Sequence, residues 1–395
     1  MNLLNRYAKL AIQRKDWVAA IKRWEQIVEV SEKSGGKFPN NECVDFQHIK
    51  QYFEAGLLKN VDAEYVEEVQ EYWRNNYGKE VSPVSHLAFF NITGKKDPRI
   101  VPKEQMWNEI TPFFNDKKMW YGYCDKNIYD MLINAPRSVE TVLKRVRGNY
   151  YDGTNNSISS SKVYNILLSF KADLIVKPSK TDSGKDVRKI SFNENSLDID
   201  DKIITLTDLE EMYGKNFIIQ KVIQQHPVMS APHPQSVNTL RMVSLRWDNE
   251  IRHLMTFARF GIGGKVKDNA SAGGLCCGVT DSGVLMNFAI DENFRTYTYH
   301  PTSKYNFANQ AVIPNYSFFK EFIVDLHKDV LHFDFVSWDV AVGSDGMPIF
   351  LEANFRGATW LYQFATQKPL FGDFTEEVLQ YIKSSKKRNK HKSTN

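Results

Sequence analysis

The segment Ser337–Gly357, SWDVAVGSDGMPIFLEANFRG, constrains this chain more than any other. Two apolar runs flank Ser344-Asp345-Gly346, and those three residue types favour a tight turn, so a β-hairpin is expected. The hairpin sets Asp339 on one strand near Glu352 and Asn354 on the next. Residues two apart on a strand share a face, so Glu352 and Asn354 point the same way. Two carboxylates and an amide oxygen converging there form a hard-oxygen site. Such a site suits Mg²⁺, which takes few protein carboxylates and completes its shell with phosphate oxygens and water. The alternative is a turn with solvated acids. Against it, Glu352 lies inside the apolar run IFLEAN, where an unpaired carboxylate is costly.

The rest of the chain reads as a mixture of helices and strands. Trp17, Ile21, Trp24 and Val28 recur along one helix face, and Tyr65, Val66, Val69 and Trp73 repeat the pattern. Residues 1 to about 75 are therefore expected to be helical. Beyond Ser82, Pro83, Pro98, Pro102 and Pro112 break the chain into short pieces. The stretch Gly148–Ser161, with YDGTNNSISSS, has the composition of a linker or loop. Strand-like runs follow at Leu174–Lys177, Phe217–Ile223, Thr239–Trp247, Ile251–Phe260, Trp338–Val342 and Ile349–Glu352. Helical patterns lie at Lys162–Phe170, Asp208–Met212, Tyr316–Leu331 and Thr375–Ser384. Strands outnumber helices and adjoin as hairpins, so an α+β layer fold is expected.

Composition excludes several classes. Of 395 residues, 42% are hydrophobic and 25% charged, enough to bury a core and too apolar for extended disorder. No apolar run approaches the roughly 18 residues that cross a bilayer. Arg6, Lys9, Arg14 and Lys15 interrupt the start, which is unlike a secretory leader. The formal net charge is +4, but Lys386, Lys387, Arg388, Lys390 and Lys392 in Ser384–Asn395 supply the excess. The body is nearly neutral and no nucleic-acid partner is expected. The basic, apolar N-terminal helix and the basic tail leave room for peripheral membrane contact. Cys43, Cys124, Cys276 and Cys277 form no C-x-x-C pair, so reduced thiols in a cytoplasmic protein are expected.

Other segments carry candidate ligand contacts. In LIVKPSKTDSGKD, an apolar strand delivers Lys177 to a loop holding Ser183 and Gly184, which suits phosphate. No G-x-x-x-x-G-K-[ST] occurs. FIIQKVIQQH interrupts an apolar strand with Gln220 and Lys221 and could face an adenine edge. Asn238 and Arg241 precede an apolar run, and Arg suits multidentate phosphate contact. Arg259 and Asp268-Asn269 lie beside glycines that let a ligand approach. Taken singly, the Lys177 segment also reads as an ordinary strand and loop with surface lysines, the Gln220 segment as a plain amphipathic strand, and the rest as structural salt bridging or turn making.

Their order is the stronger signal. Tyr72-Trp73-Arg74, Asp125-Lys126-Asn127, Val176-Lys177-Pro178, Asn238-Thr239-Leu240-Arg241, Asp268-Asn269 with Gly273-Gly274, His300-Pro301, and Asp339 with Glu352-Ala353-Asn354 follow one another along the chain. From about Tyr72 to Ile382 the chain resembles the ATP-grasp superfamily, and more narrowly its sugar-transfer-associated family from bacterial surface-polysaccharide biosynthesis. The resemblance implies an ATP-grasp fold, two α+β halves clasping ATP, behind a helical N-terminal region. It implies a division at 1–80 (helical), 81–161 (preceding segment and linker), 162–224 and 225–383 (the two halves, the metal site in the second) and 384–395 (disordered tail). It places Lys126, Lys177, Ser183 and Gly184 on ATP phosphates, and Gln220, Lys221 and Ile223 along adenine, with Asn238 beside the nucleotide. Gln220 stands where such a hinge often carries an acid. Arg241 would meet the γ-phosphate, and Asp339, Glu352 and Asn354 would hold Mg²⁺. Arg259, Asn269, His300 and Arg356 fall at the substrate end, His300 either as general base or as a hydrogen-bonded histidine. The implied activity is an ADP-forming carboxylate–amine ligase joining an amino acid to an acidic sugar or glycan precursor, with sugar-nucleotide or glycan substrates as partners. The alternatives are a phosphotransferase on the same scaffold and a non-catalytic nucleotide-binding component of a glycan-assembly complex.

Overall fold

The computed structural model describes residues 2–34, 46–180, 186–263, 273–356 and 360–392. They fall into two compact units. Unit 1 comprises Met1–Phe114, Ile290–Thr296 and Arg356–Asn395, and unit 2 comprises Asn115–Ala289 and Tyr297–Phe355. Unit 1 thus gathers pieces distant in sequence, which the chain-order division does not.

Unit 1 is mainly helical where described, with the ends of two short strands at Ile290 and Thr296. It contains α1 (Asn2–Gln13), α2 (Trp17–Ser34), α3 (Phe46–Glu54), α4 (Ala63–Asn76) and α5 (Val84–Thr93). The expected apolar stripe of α2 is buried at Trp17, Ile21, Trp24 and Val28. Asp62 caps α4 by accepting from the Tyr65 backbone N–H. Pro83 and Pro102 stand at helix starts rather than ends. Pro83 precedes α5, which stops at Gly94 in the left-handed region (φ 72°). Gln363 holds Val101 by both its backbone groups, at 2.9 Å each. Among the described residues no helix is long and apolar enough to cross a membrane.

Unit 2 is built on two sheets. The first has eight strands: β1 (Thr141–Val146), β2 (Asn149–Asp152), β3 (Ser157–Ile158), β4 (Leu174–Pro178), β5 (Arg188–Asn193), β6 (Ser196–Ile199), β7 (Lys202–Ile203) and β8 (Phe217–Lys221), in the order β3-β2-β1-β8-β4-β5-β6-β7. The second has seven: β9 (Thr239–Trp247), β10 (Glu250–Phe260), β11 (Leu275–Val279), β12 (Ala289–Ile290), β13 (Thr296–Tyr297), β14 (Phe335–Val342) and β15 (Pro348–Asn354), in the order β13-β12-β11-β10-β9-β14-β15. Helices Ser160–Ser169 and Leu206–Tyr213 share the first sheet's core, where Leu143, Leu167, Val176, Leu209 and Ile219 are buried. Helix Tyr316–Lys328 covers the second through Phe319, Ile323 and Leu326, packed with Trp338. This is the expected α+β architecture with a helical region before it.

The stretch read as a linker, Gly148–Ser161, is a correction. It holds β2 and β3. Its polar residues form the turn between them: the Asp152 carboxylate accepts from the Thr154 and Asn156 backbone N–H groups at 2.9 Å. Gly153 lies so close to β1 that a Cβ there would sit 2.3 Å from the Thr141 carbonyl oxygen. Strand β8 also stops at Lys221, two residues short of the expected Ile223.

Candidate active site

One face of the second sheet carries a row of charge. The hairpin β14–β15 forms as expected, with Asp339 directly opposite Glu352, and Asp339 is also opposite Arg241 on β9. Direct opposition puts these three side chains on one face. Arg259 joins them from β10. The Asp339 carboxylate takes a bidentate contact from Arg241, through Nε to Oδ1 and through Nη2 to Oδ2 at 3.0 Å. Arg259 Nη1 lies 3.4 Å from both its oxygens, and Asn354 Nδ2 donates to Oδ2 at 3.3 Å. Burial alone would raise the Asp339 carboxyl; the Arg241 and Arg259 guanidiniums outweigh it and hold the group below the usual carboxylate range.

Two lysines meet this row. Lys126 starts the 3₁₀ turn Lys126–Ile128, its backbone N–H bonded to the Ser179 carbonyl just past β4. Its buried ammonium lies 3.5 Å from Glu352 Oε1. Lys177 projects from β4. Desolvation pulls its ammonium down to about 8, repulsion from Lys126 adds to this, and Glu352 and Asp339 oppose it. Lys177 therefore feels the charges of Lys126, Glu352 and Asp339, and Lys126 is paired with Glu352.

Among the described residues no three His, Cys, Asp or Glu side chains gather as a metal site. The candidate set is instead two carboxylates and an amide, with 7% of Asp339 and 22% of the Glu352 side chain exposed. A small oxygen donor set of this kind fits a cation that shares its shell with phosphate.

The other expected contacts divide. Gln220 lies on β8 two residues from Ile218, the partner of Lys177, so both share a face. Its amide donates to Thr141 Oγ1 at 3.3 Å. Lys221 faces the other way, paired with Glu140 at 2.8 Å over the Phe170 ring, so its side chain is not with Lys126 and Lys177. Ile223 is half-buried in the segment after β8. Asn238 is fully buried and its amide is used within the fold: Nδ2 donates to the Met229 and His233 carbonyls, and Oδ1 accepts from Ser236 Oγ and the Gly261 N–H. His300 is likewise occupied. Its Nε2 pairs with the Gly261 carbonyl at 2.8 Å and its Nδ1 accepts from the Ser303 N–H at 3.2 Å. Burial lowers its pKa and keeps it neutral, and with both ring nitrogens engaged it braces the chain just past β10, which favours the hydrogen-bonded alternative. Arg356 is exposed in unit 1. Ser183, Gly184 and Asn269 lie outside the described residues, as does Cys43.

Sequence reasoning missed the supports. Tyr129 donates to the Ala353 carbonyl, between Glu352 and Asn354, at 3.2 Å. His233 grips the Gly263 carbonyl beside the His300 brace. No spacing rule announces such contacts, because their partners are backbone atoms distant in sequence.

The two-sheet unit with converging cations and carboxylates is of the ATP-grasp class. The chain belongs to the sugar-transfer associated ATP-grasp family, whose model matches residues 105–379. No curated protein matches it. Similar solved structures include the ATP-grasp ligase PsnB complexed with minimal precursor (10% identity, 69% of this chain, 63% of that chain, TM-score 0.36). An L-amino acid ligase from Bacillus licheniformis is similar at 12% identity over 66% of this chain and 48% of that one, TM-score 0.34. The D-alanine-D-alanine ligase from Coxiella burnetii is similar at 9% identity over 74% and 70%, TM-score 0.39. The chain thus spans less than two thirds of PsnB and about half of the Bacillus licheniformis ligase.

Proposed function

We propose that unit 2 binds ATP with Mg²⁺ and acts as an ADP-forming carboxylate–amine ligase. The observation that carries this reading is the 3.5 Å approach of Lys126 to Glu352, with Lys177 and Asp339 in the same charge cluster. Lys177 from the first sheet, Lys126 from the 3₁₀ turn and oxygen donors from the second sheet then surround the place a terminal phosphate would take. In this reading Lys126 and Lys177 neutralise phosphate oxygens, and Gln220 lies along the nucleotide on the face of Lys177. Asp339, Glu352 and Asn354 would hold Mg²⁺, which would supply positive charge against the transferring phosphoryl group. Arg241 and Arg259, already aimed at Asp339, supply the remaining positive charge.

The substrate carboxylate attacks the γ-phosphorus and ADP leaves. The amine nitrogen then attacks the acyl carbon, phosphate leaves and the nitrogen loses a proton. Family membership motivates the substrate class: an amino acid joined to an acidic sugar or glycan precursor for surface polysaccharide.

The test incubates purified protein with MgATP, sugar acids and amino acids. ADP and phosphate release that needs both partners is expected, with Glu352→Gln lowering kcat by roughly 10²-fold or more. AMP and pyrophosphate would rule the chemistry out. ADP without free phosphate would instead favour phosphotransfer to a hydroxyl.

A further inference from the structure

Lys126 stands on a segment too short to hold itself in place. The 3₁₀ turn Lys126–Ile128 and the single helical turn Tyr129–Leu132 have no stability of their own. Their position must come from tertiary contacts. The Lys126 N–H is tied to the Ser179 carbonyl at 2.9 Å, and Asn127 Nδ2 to the Arg145 carbonyl at 3.0 Å. The third tie is ionic. Asp130 Oδ2 accepts from Lys144 Nζ at 2.6 Å.

Lys144 is an unusual residue to find there. It lies mid-strand in β1 and is 2% exposed, among the largest fully buried side chains of the chain. Its ammonium also donates to Asn155 Oδ1 at 2.8 Å, and Asn155 Nδ2 donates back to Asp130 Oδ2 at 3.1 Å. The three side chains form a closed triangle. Asn155 reaches it from the β2–β3 turn with φ 70°, a left-handed conformation that asparagine tolerates better than most residues. Gly153, pressed on the Thr141 carbonyl, lets that turn come close enough.

A buried lysine is a poor way to stabilise a core. An apolar side chain of similar volume often does as well or better, and buried ionic groups are best understood where they fix one geometry. We propose that Lys144 is a positioning residue: through Asp130 and Asn155 it holds the Asp125–Leu132 segment so that Lys126 meets the nucleotide phosphates. The proposal rests on the reading of Lys126 as a phosphate ligand.

The test is a thermodynamic cycle on the full chain, reading MgADP binding by calorimetry and melting by heat. Lys144→Met is expected to melt within a few degrees of the wild type. Its MgADP affinity should fall roughly ten- to a hundred-fold, the scale of a displaced ligand-binding side chain. Lys126→Ala should weaken binding at least as much. The double variant should bind no worse than Lys126→Ala alone, because Lys144 acts only through Lys126; a merely structural lysine would give additive losses. Asp130→Asn, at a side chain 38% exposed, tests the same tie should Lys144→Met fail to fold. Wild-type affinity in both Lys144→Met and Asp130→Asn, or additive losses in the double variant, overturns the proposal. A wild-type protein that binds no MgADP overturns the functional reading instead.

Discussion

Asp339 shows how one residue can be committed in two ways. It is nearly buried, and two guanidiniums and an amide converge on it. That arrangement leaves the charge row rigid and electrically balanced before any ligand arrives. Lys177 is the less comfortable member. Its pKa lies near 8 in the folded chain against an ordinary value of 10.5. Below pH 8 the native state carries an ammonium that burial disfavours. Between about 8 and 10.5 the native state releases that proton before the unfolded state does, so the penalty is relieved as pH rises. Lys177→Met should therefore stabilise the free protein at pH 7, by up to about 3 kcal/mol. The gain should vanish towards pH 10.5, and MgATP binding should be lost at every pH. Urea unfolding of both proteins at pH 7 and pH 10 measures the difference; a variant less stable than wild type at pH 7 would contradict it. Asp339, Glu352 and Asn354 were legible in sequence because polar groups interrupted apolar strands. The occupancy of Asn238 and His300 was not, since whether an amide or imidazole is already bonded depends on backbone groups such as Gly261.

Strand β14 is held by its opposite face. Trp338 Nε1 donates to Ser244 Oγ at 2.7 Å, Ser244 Oγ lies 2.7 Å from His327 Nδ1, and His327 Nε2 lies 2.9 Å from the Phe333 carbonyl. The Phe333 carbonyl only accepts, so the neutral imidazole carries its proton on Nε2; Nδ1 then accepts from the Ser244 hydroxyl, whose oxygen accepts the Trp338 indole N–H. This relay joins β9, β14 and helix Tyr316–Lys328 directly behind Asp339. Ser244→Ala leaves a buried indole N–H and a buried imidazole nitrogen unpartnered. It should lower unfolding free energy by roughly 2–4 kcal/mol. The assay is urea unfolding at pH 7, and a change below about 0.5 kcal/mol, the range of an inert surface substitution, would show the relay to be energetically idle. Elements of this strength were the ones the sequence announced: β9, β10 and the β14–β15 hairpin are long and apolar. The strands β5, β6 and β7 were not legible. Strands β6 and β7 are short, and in all three residues such as Arg188, Lys189, Asp198 and Lys202 blur the alternation that marks a strand. Helix α5 was hidden for another reason, since Pro83 reads as a breaker but here stands at a helix start.

At the scale of the whole chain, each unit buries a histidine in its neutral form. His86 in unit 1 is 0% exposed, and burial pulls its pKa down to about 4, with the Pro98 carbonyl opposing. His327 in unit 2 is also 0% exposed and is pulled down to about 4 by burial, with the Phe333 carbonyl opposing. Both would titrate near 6.5 if unfolded. Between pH 6.5 and 4 the unfolded chain binds protons that the native chain refuses, so stability falls as pH falls through that window. Each histidine accounts for up to about 3 kcal/mol across it. Carboxylates held below their usual range, such as Asp339, add their own loss only at lower pH, while Asp334 and Glu292, held above it by burial, offset part of the histidine loss. Urea unfolding followed from pH 7 to pH 4.5 should show the free energy declining steadily from about 6.5 downward, in unit 1 as in unit 2. Variants that keep Trp73 or Trp338 as the sole tryptophan follow each unit separately, because Trp73 lies in unit 1 and Trp338 in unit 2. A stability that stays level down to pH 4.5 would mean that neither imidazole is held neutral by its burial.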